Sequence, residues 1–166
     1  MPLFRKLAEH FIGFDLDIAA ERRGDGFGLV LEFKSTRRRG QHQLSESQRF
    51  FLDIALRMAL AQFVSAPEGT APLYVDTPEG SLDIAYEARA GEMFAQFVKS
   101  GHDIVMTANI NTSQLLKKLA RICGTSRMTL VRMTEWTDLS EVQMEEDSLF
   151  RDAYNGIEEE LRSGGR

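Results

Sequence analysis

The sequence has little cysteine and histidine, which excludes several kinds of site. Cys123 is the single cysteine among 166 residues, so an internal disulfide and a cysteine-rich zinc site are both excluded. The histidines, His10, His42 and His102, lack the i, i+4 spacing of a zinc-binding helix. No apolar run approaches the roughly 20 residues of a membrane span, and the N-terminus has no signal-peptide pattern. We therefore expect a cytoplasmic protein without a membrane partner.

Two glycine-rich nucleotide-binding patterns are also missing. Neither GxxxxGK[ST] nor GxGxxG occurs in the sequence, so these 166 residues by themselves exclude a self-contained P-loop enzyme and a Rossmann dehydrogenase. The composition, 43% hydrophobic and 27% charged, is that of a folded globular chain. The length predicts one domain over residues 1–166.

The net charge of −5 is spread unevenly along the chain. Residues 135–166 carry 10 acidic and 3 basic side chains, whereas residues 1–40 carry 8 basic and 6 acidic ones. The acidic segment predicts a solvated helix over about 140–161. The basic run Arg37–Arg39 is typical of an exposed loop, but arginine also suits phosphate geometry. These three arginines are therefore our candidate contact for DNA, although they are too few to argue nucleic-acid binding alone.

Hydrophobic periodicity predicts alternating strands and helices. A short amphipathic helix over 2–12, with Leu3, Leu7 and Phe11 on one face, precedes this pattern. The predicted strands are 27–33, 73–75, 104–107 and 128–133, and the predicted helices are 45–63, 82–98, 114–122 and 140–161, with Ser45 as an N-cap. This order predicts an α/β fold with a largely parallel sheet flanked by helices. Asp76 and Asn109 follow two of the strands, so we expect them at one edge of the sheet, where ligands bind.

Three segments carry the chemistry. LSESQ (44–48) places a capped helix N-terminus where it can face an anion, LYVDTPEGSLD (73–83) ends an apolar strand in Asp76, and VMTAN (105–109) ends a second strand in polar residues. Each alone is more often an ordinary cap, turn or strand end. Together, in this order, they resemble the signature, Walker B with D-loop, and switch strand of the C-terminal lobe of an ABC-type ATPase head in the SMC/RecN/SbcC-like family. The resemblance covers about residues 27–133.

The resemblance implies a partial P-loop NTPase that acts in a dimer of heads. Ser45, Glu46, Ser47 and Gln48 would face the γ-phosphate of ATP bound to the partner head. Asp76 would hold Mg²⁺ through water. Ser81 and Asp83 belong to the D-loop, with Asp83 contacting the partner head. The implied function is ATP-dependent dimerisation and hydrolysis in a DNA-associated repair or defence machine.

Departures from the family pattern leave the activity open. Thr77 occupies the position of the catalytic glutamate and has no carboxylate to act as a base, so Glu79 is the candidate substitute. Ala108 occupies the switch-histidine position, where Asn109 retains hydrogen bonding without the proton chemistry of histidine. The alternative is a non-hydrolysing ABC-like module that senses the nucleotide state of a partner head.

The signature and the phosphate cradle also differ from the family pattern. Glu46 and Ser47 replace two signature glycines, and a carboxylate there repels phosphate unless it points away. Because the Walker A motif is missing, we expect ATP and Mg²⁺ to bind only together with an N-terminal Walker A lobe. That lobe belongs either to the same parent chain or to a separate subunit, so we hypothesise that this chain is a C-terminal fragment or a separately encoded lobe.

Overall fold

The computed structural model describes residues 2–33, 36–38, 41–65, 69–110, 113–133, 135 and 139–165. The helices found there are α1 Pro2–Ile12, α2 Glu46–Ser65, α3 Glu87–Lys99, α4 Ser113–Cys123, α5 Glu141–Glu145 and α6 Asp147–Ser163. The strands are β1 Leu16–Arg23, β2 Gly26–Phe33, β3 Thr36–Arg38, β4 Pro72–Asp76 and β5 Asp103–Thr107. Short 3₁₀ turns span Gln41–Gln43, Pro78–Ser81 and Ile84–Tyr86.

The core lies among the first four helices, and its centre is aromatic. Phe11 of α1 stacks on Phe51 of α2 with ring centroids 4.8 Å apart, and Phe94 of α3 meets Phe51 edge to face at 6.3 Å. All three rings are fully buried, and each such ring contributes about 2–3 kcal/mol of burial free energy. The buried stripe expected for α2 is confirmed at Phe51, Ile54, Ala55, Met58 and Ala59.

Helix α1 occupies the predicted residues, and Leu7 and Phe11 of the predicted face are buried, but Leu3 is not. Phe4, Leu7, Ala8, Phe11 and Ile12 are buried, whereas Leu3, which we placed on this face, is 40% exposed. One residue corresponds to 100° of helix rotation, and the larger Phe4 takes the inward position. The helix ends at Gly13, whose φ of 82° favours glycine and whose N–H donates to the carbonyl of Glu9.

The prediction of a largely parallel sheet is not confirmed. Strands β1, β2 and β3 form an antiparallel sheet in that order. Strand β1, which was not predicted from the sequence, pairs along its whole length with β2 from Leu16↔Phe33 to Arg23↔Gly26. The two residues between these strands, Gly24 and Asp25, form a short hairpin loop, and such a connection joins only antiparallel strands.

The predicted loop around the arginine run is partly wrong, because residues 36–38 form β3. Arg37 and Arg38 pair with Glu32 and Leu31 of β2 in the backbone register. Arg39 lies outside the described residues, and so do the side chains of Arg37 and Arg38. The proposed DNA contact therefore stays a prediction.

The parallel part of the fold is the pair β4 and β5, which positions the candidate site. Their register runs from Pro72↔Asp103 to Asp76↔Thr107, so both strands end at the same edge. Side chains alternate between the faces. Val75 is buried, and Leu73, Ile104 and Met106 pack against the core on the inner face. The outer face carries exposed Tyr74 and Val105.

The C-terminal region differs from the prediction in two places. Residues 128–133 show an alternation of half-buried and exposed side chains, but the strand predicted there is not formed. The long acidic helix is divided into α5 and α6. Ser140 caps α5 through a capping box with Gln143, and Arg121 of α4 pairs with Glu160 of α6. Among the described helices, none is long and apolar enough to cross a membrane.

Candidate functional site

Asp76 and Thr107 form one hydrogen-bonded unit at the carboxyl edge of the parallel strands. They are Cα partners in the register, and the Thr107 hydroxyl donates to Asp76 Oδ1. The N–H of Thr77 donates to both the carbonyl and the Oγ1 of Thr107, at 3.1 Å each. The side chains of Asp76 and Thr107 are exposed. The edge therefore presents an oriented carboxylate to the surroundings.

Thr77 has an unusual backbone conformation. Its φ of 39° is positive, and among the described residues it is the one non-glycine residue with this property. For a β-branched side chain this conformation is a genuine outlier, and such outliers cluster at functional sites. The turn starts directly after Asp76 and leads into buried Pro78. The chain thus leaves the strand abruptly and holds the Asp76 carboxylate at its end.

The N-terminus of α2 is closed by a capping box. The N–H of Gln48 donates to Ser45 Oγ at 3.2 Å, and the N–H of Ser45 donates to Gln48 Oε1 at 3.1 Å. The prediction of Ser45 as the N-cap is confirmed. Glu46 lies exposed in the first turn, where a carboxylate interacts favourably with the helix dipole. These side chains explain the local helix start without any ligand.

Ser47 connects this helix start to the segment that follows β4. Its Oγ accepts a hydrogen bond from the N–H of Asp83 at 2.9 Å, and Ser47 is only 7% exposed. Asp83 in turn accepts the N–H of Ala85 at 2.9 Å and so caps the turn Ile84–Tyr86. Gln48 Nε2 donates to the hydroxyl of Tyr86 at 3.3 Å. Two predicted site segments, 44–48 and 81–83, are therefore neighbours.

Of the remaining predicted site residues, the structure describes the surroundings of some and only the backbone of others. Asn109 is exposed two residues beyond the end of β5, and Ala108 packs partly against the core. The side chains of Glu79 and Ser81 lie outside the described part of the chain, so their directions stay predictions.

One buried carboxylate near this region was missed from the sequence. Glu87 begins α3 and is buried, and its Oε2 accepts the N–H of Gln114 at the start of α4 at 3.2 Å. Because a carboxylate at a helix N-terminus is stabilising, Glu87 caps a helix that lies 27 residues away. The acidic first turn of α3 was the available signal, but its partner is visible only in the tertiary structure.

Asp76 is the one predicted metal ligand, and the prediction is that it holds Mg²⁺ through water. No group of three or more His, Cys, Asp or Glu side chains that could hold a metal lies within the described residues. An exposed single carboxylate fits Mg²⁺ when waters and substrate phosphates supply the other ligands. Two surface grooves, of about 460 Å³ and 370 Å³, lie elsewhere, beside α1 and β1 and beside α5 and α6.

The comparisons with known proteins concern the fold. No protein-family model matches the chain, and the search of curated proteins finds no similar sequence. A solved structure from a study of ATP-driven dimerization and DNA-stimulated activation of SMC ATPases superposes with a TM-score of 0.56. Its identity to this chain is 13%, and the match covers 89% of each chain. The fold of this chain is thus similar to that of an SMC ATPase.

A second solved structure is an SMC head bound to the C-winged-helix domain of ScpA. It matches at a TM-score of 0.48 and 18% identity, over 65% of this chain and 33% of that chain. The chain therefore spans about a third of that SMC head.

Proposed function

We propose that this chain is the C-terminal lobe of an SMC-like ATPase head that works with a Walker A lobe in a DNA-associated machine. The observation that carries the proposal is the convergence of the three motif-bearing segments. Asp76 and Thr107 meet at the strand ends, and Ser47 is bonded to Asp83. The fold similarity to an SMC ATPase, over 89% of both chains, supports the same assignment.

The open outer face of the parallel strands supports a partner lobe. Tyr74 and Val105 are register partners and are 75% and 56% exposed. Parallel strands are normally covered on both faces, because their crossover connections place other elements there. We infer that the Walker A lobe packs against this face and supplies the missing phosphate cradle.

The chemistry assigned to this lobe follows from its own side chains. In a complete head, Asp76 would hold Mg²⁺ through water, and Thr107 would keep one carboxylate oxygen oriented. Mg²⁺, when bound with nucleotide, neutralises charge on the phosphoryl group. The α2 N-terminus, which begins after Ser45, would face the nucleotide of the partner head, where the positive end of the helix dipole favours an anion.

ATP hydrolysis by the complete head would need a base that takes a proton from the attacking water. Thr77 has no carboxylate, so it cannot take a proton from water at neutral pH. Glu79 is the proposed substitute. The second candidate function, a non-hydrolysing module that senses nucleotide in a partner head, is favoured by Thr77 and by Ala108 in the switch position.

The deciding experiment measures ATP turnover by the head reconstituted from this chain and a Walker A lobe. We expect turnover in the wild type and its loss in Glu79→Gln, with Thr77→Val as the matched variant that leaves turnover unchanged. If Glu79→Gln retains full turnover, the substitute-base proposal is wrong. If the complete head dimerises with ATP and never hydrolyses it, the sensing module is the correct function.

Two further measurements test the partner lobe. For this chain alone we expect no tight ATP binding. A micromolar affinity by calorimetry would contradict the proposal that ATP binding needs the Walker A lobe. Tyr74→Gln should prevent assembly with the Walker A lobe and leave the fold unchanged, because the side chain is exposed. Ile84→Gln is the control, since Ile84 is 78% exposed outside the strand pair. Equal assembly of both variants would exclude this face as the contact.

A further inference from the structure

The buried hydroxyl of Ser47 lies where the resembled signature has a glycine. A glycine has no side chain to bond with, so this contact is a property of this sequence. Ser47 is the second residue of α2, and its Oγ accepts the N–H of Asp83, 36 residues later in the chain, at 2.9 Å. Buried polar groups are costly unless they are hydrogen-bonded. The burial and the bond together indicate that the side chain is committed to a contact within its own chain.

A second contact runs between the same two segments. Gln48 Nε2 donates to the Tyr86 hydroxyl at 3.3 Å. The ring of Tyr86 stacks on buried Phe11 with centroids 5.0 Å apart, and Phe11 stacks on Phe51 of α2. The turn after Asp83 is therefore held to α2 at its polar start and through the aromatic core.

Asp83 itself is engaged within the turn. Its carboxylate accepts the N–H of Ala85. The contact with Ser47 is made by a different group, the backbone N–H of Asp83. The acceptor oxygen at residue 47 therefore holds the first residue of the turn, while Gln48 and the aromatic core hold Tyr86 at its end. The Oγ of Ser45, by contrast, accepts the N–H of Gln48 within the same helix and caps it.

We propose that Ser47 is a positioning residue that fixes the turn Asp83–Tyr86 to the start of α2, so that the two segments meet a partner head as one preformed surface. The proposal rests on the proposed function, in which both segments face the nucleotide and the partner head. Ser47 acts through Asp83 and has no contact with nucleotide in this role. Glycine in its place leaves the two segments to be ordered on dimerisation, which weakens association.

The first arm of the test uses this chain alone. Amide hydrogen exchange is measured at Asp83 in the wild type, in Ser47→Ala, in Ser47→Gly and in the matched cap variant Ser45→Ala. We expect exchange at Asp83 to rise about fivefold or more in both Ser47 variants, the ratio that corresponds to one net hydrogen bond. Exchange at Asp83 in Ser45→Ala should stay at the wild-type rate. A urea titration of each variant shows that it is folded.

The second arm measures ATP-driven dimerisation of the complete head with the same variants. We expect Ser47→Ala to weaken dimerisation about fivefold or more, with the affinity of the monomeric head for ATP unchanged. The proposal is wrong if Asp83 exchanges at the wild-type rate in Ser47→Ala. It is also wrong if the wild-type head dimerises and Ser47→Ala dimerises equally well. If the wild-type head neither binds ATP nor dimerises, the proposed function fails as well, a result distinct from a failure at Ser47 alone.

Discussion

Thr107 lies directly opposite Asp76 in the parallel strand pair and donates its hydroxyl hydrogen to the Asp76 carboxylate. The contact orients a carboxylate at a strand end, where the chain turns sharply into Thr77. Thr77 is held there by the same residue, because its N–H donates to the Thr107 carbonyl. One threonine therefore orders both the proposed Mg²⁺ ligand and the turn that follows it.

Replacing Thr107 by valine tests this orientation. Thr107→Val keeps the shape and removes the hydroxyl, and Thr107→Ser keeps the hydroxyl. In the complete head we expect valine to lower Mg²⁺-dependent ATP binding about 10-fold or more, the usual range for partners of a metal ligand. The unfolding free energy should change by less than about 0.5 kcal/mol, because the site is exposed. Equal binding by the valine and serine variants would contradict this role.

The positive φ of Thr77 predicts a stabilising substitution. A left-handed conformation costs an ordinary L-residue about 1–2 kcal/mol, and asparagine tolerates it better. We expect Thr77→Asn to raise the unfolding free energy by about 1 kcal/mol in a urea titration, because part of this cost is removed. The control is Thr70→Asn, an exposed loop position without a positive φ, which should change stability by less than about 0.5 kcal/mol. If Thr77→Asn is less stable than the wild type, the threonine side chain itself stabilises the turn.

Gly91 permits close packing of α3 on α4. A Cβ at this position would lie 2.5 Å from the carbonyl oxygen of Leu115 and 3.0 Å from Cβ of Lys118. We expect Gly91→Ala to lower the unfolding free energy by about 1–3 kcal/mol, since the two helices must separate. Gly80→Ala is the control, because a Cβ there meets nothing within 4 Å. Thermal or urea denaturation measures both, and equal effects would refute the packing argument.

The carboxylate of Glu9 links α1 to β1 through the N–H of Leu16, and we expect this link to be lost in acid. Burial works to raise the pKa of the Glu9 carboxyl, but hydrogen bonds from Arg5 and from the Leu16 N–H outweigh it, and the pKa is lowered from its usual 4.5. A folded-state pKa below the unfolded one stabilises the fold above about pH 4.5, and this contribution is lost as the pH falls through the folded value.

Urea titrations between pH 7 and pH 3 check the sign. Glu9→Gln should be less stable than the wild type at pH 7, and the difference should shrink towards pH 3. The control is Asp53→Asn, which removes an exposed pair with Arg57 at 2.7 Å within one helix and should matter by less than about 1 kcal/mol. A constant difference across the pH range would show that Glu9 acts by packing and not by charge.

Most of the helices were predictable from the sequence, because their signals are local, although α3 begins at Glu87 and not at the predicted residue 82. The predicted helix over 2–12 matches α1, and the Ser45 cap and the buried stripe of α2 are found as expected. Periodicity and capping depend on residues within three or four positions of each other. The predicted strands ending at Asp76 and Thr107 are also present, since short apolar runs bounded by polar residues favour strands.

The sheets were decided by tertiary structure. β1 lacks clean alternation, and only its pairing with β2 makes it a strand. Residues 128–133 alternate well and yet form none. Strand pairing needs a partner at a suitable distance and register, which the composition of one segment does not contain.

The chemical content of the site can be read from the order of the amino acids: an acid at a strand end, a capped helix start, and no phosphate cradle within these residues. Tertiary structure decided which of these groups meet. The Thr107 contact with Asp76 spans 31 residues, and the Ser47 contact with Asp83 spans 36. Such hydrogen bonds depend on distances and angles set by the packing of whole elements, which no local pattern encodes.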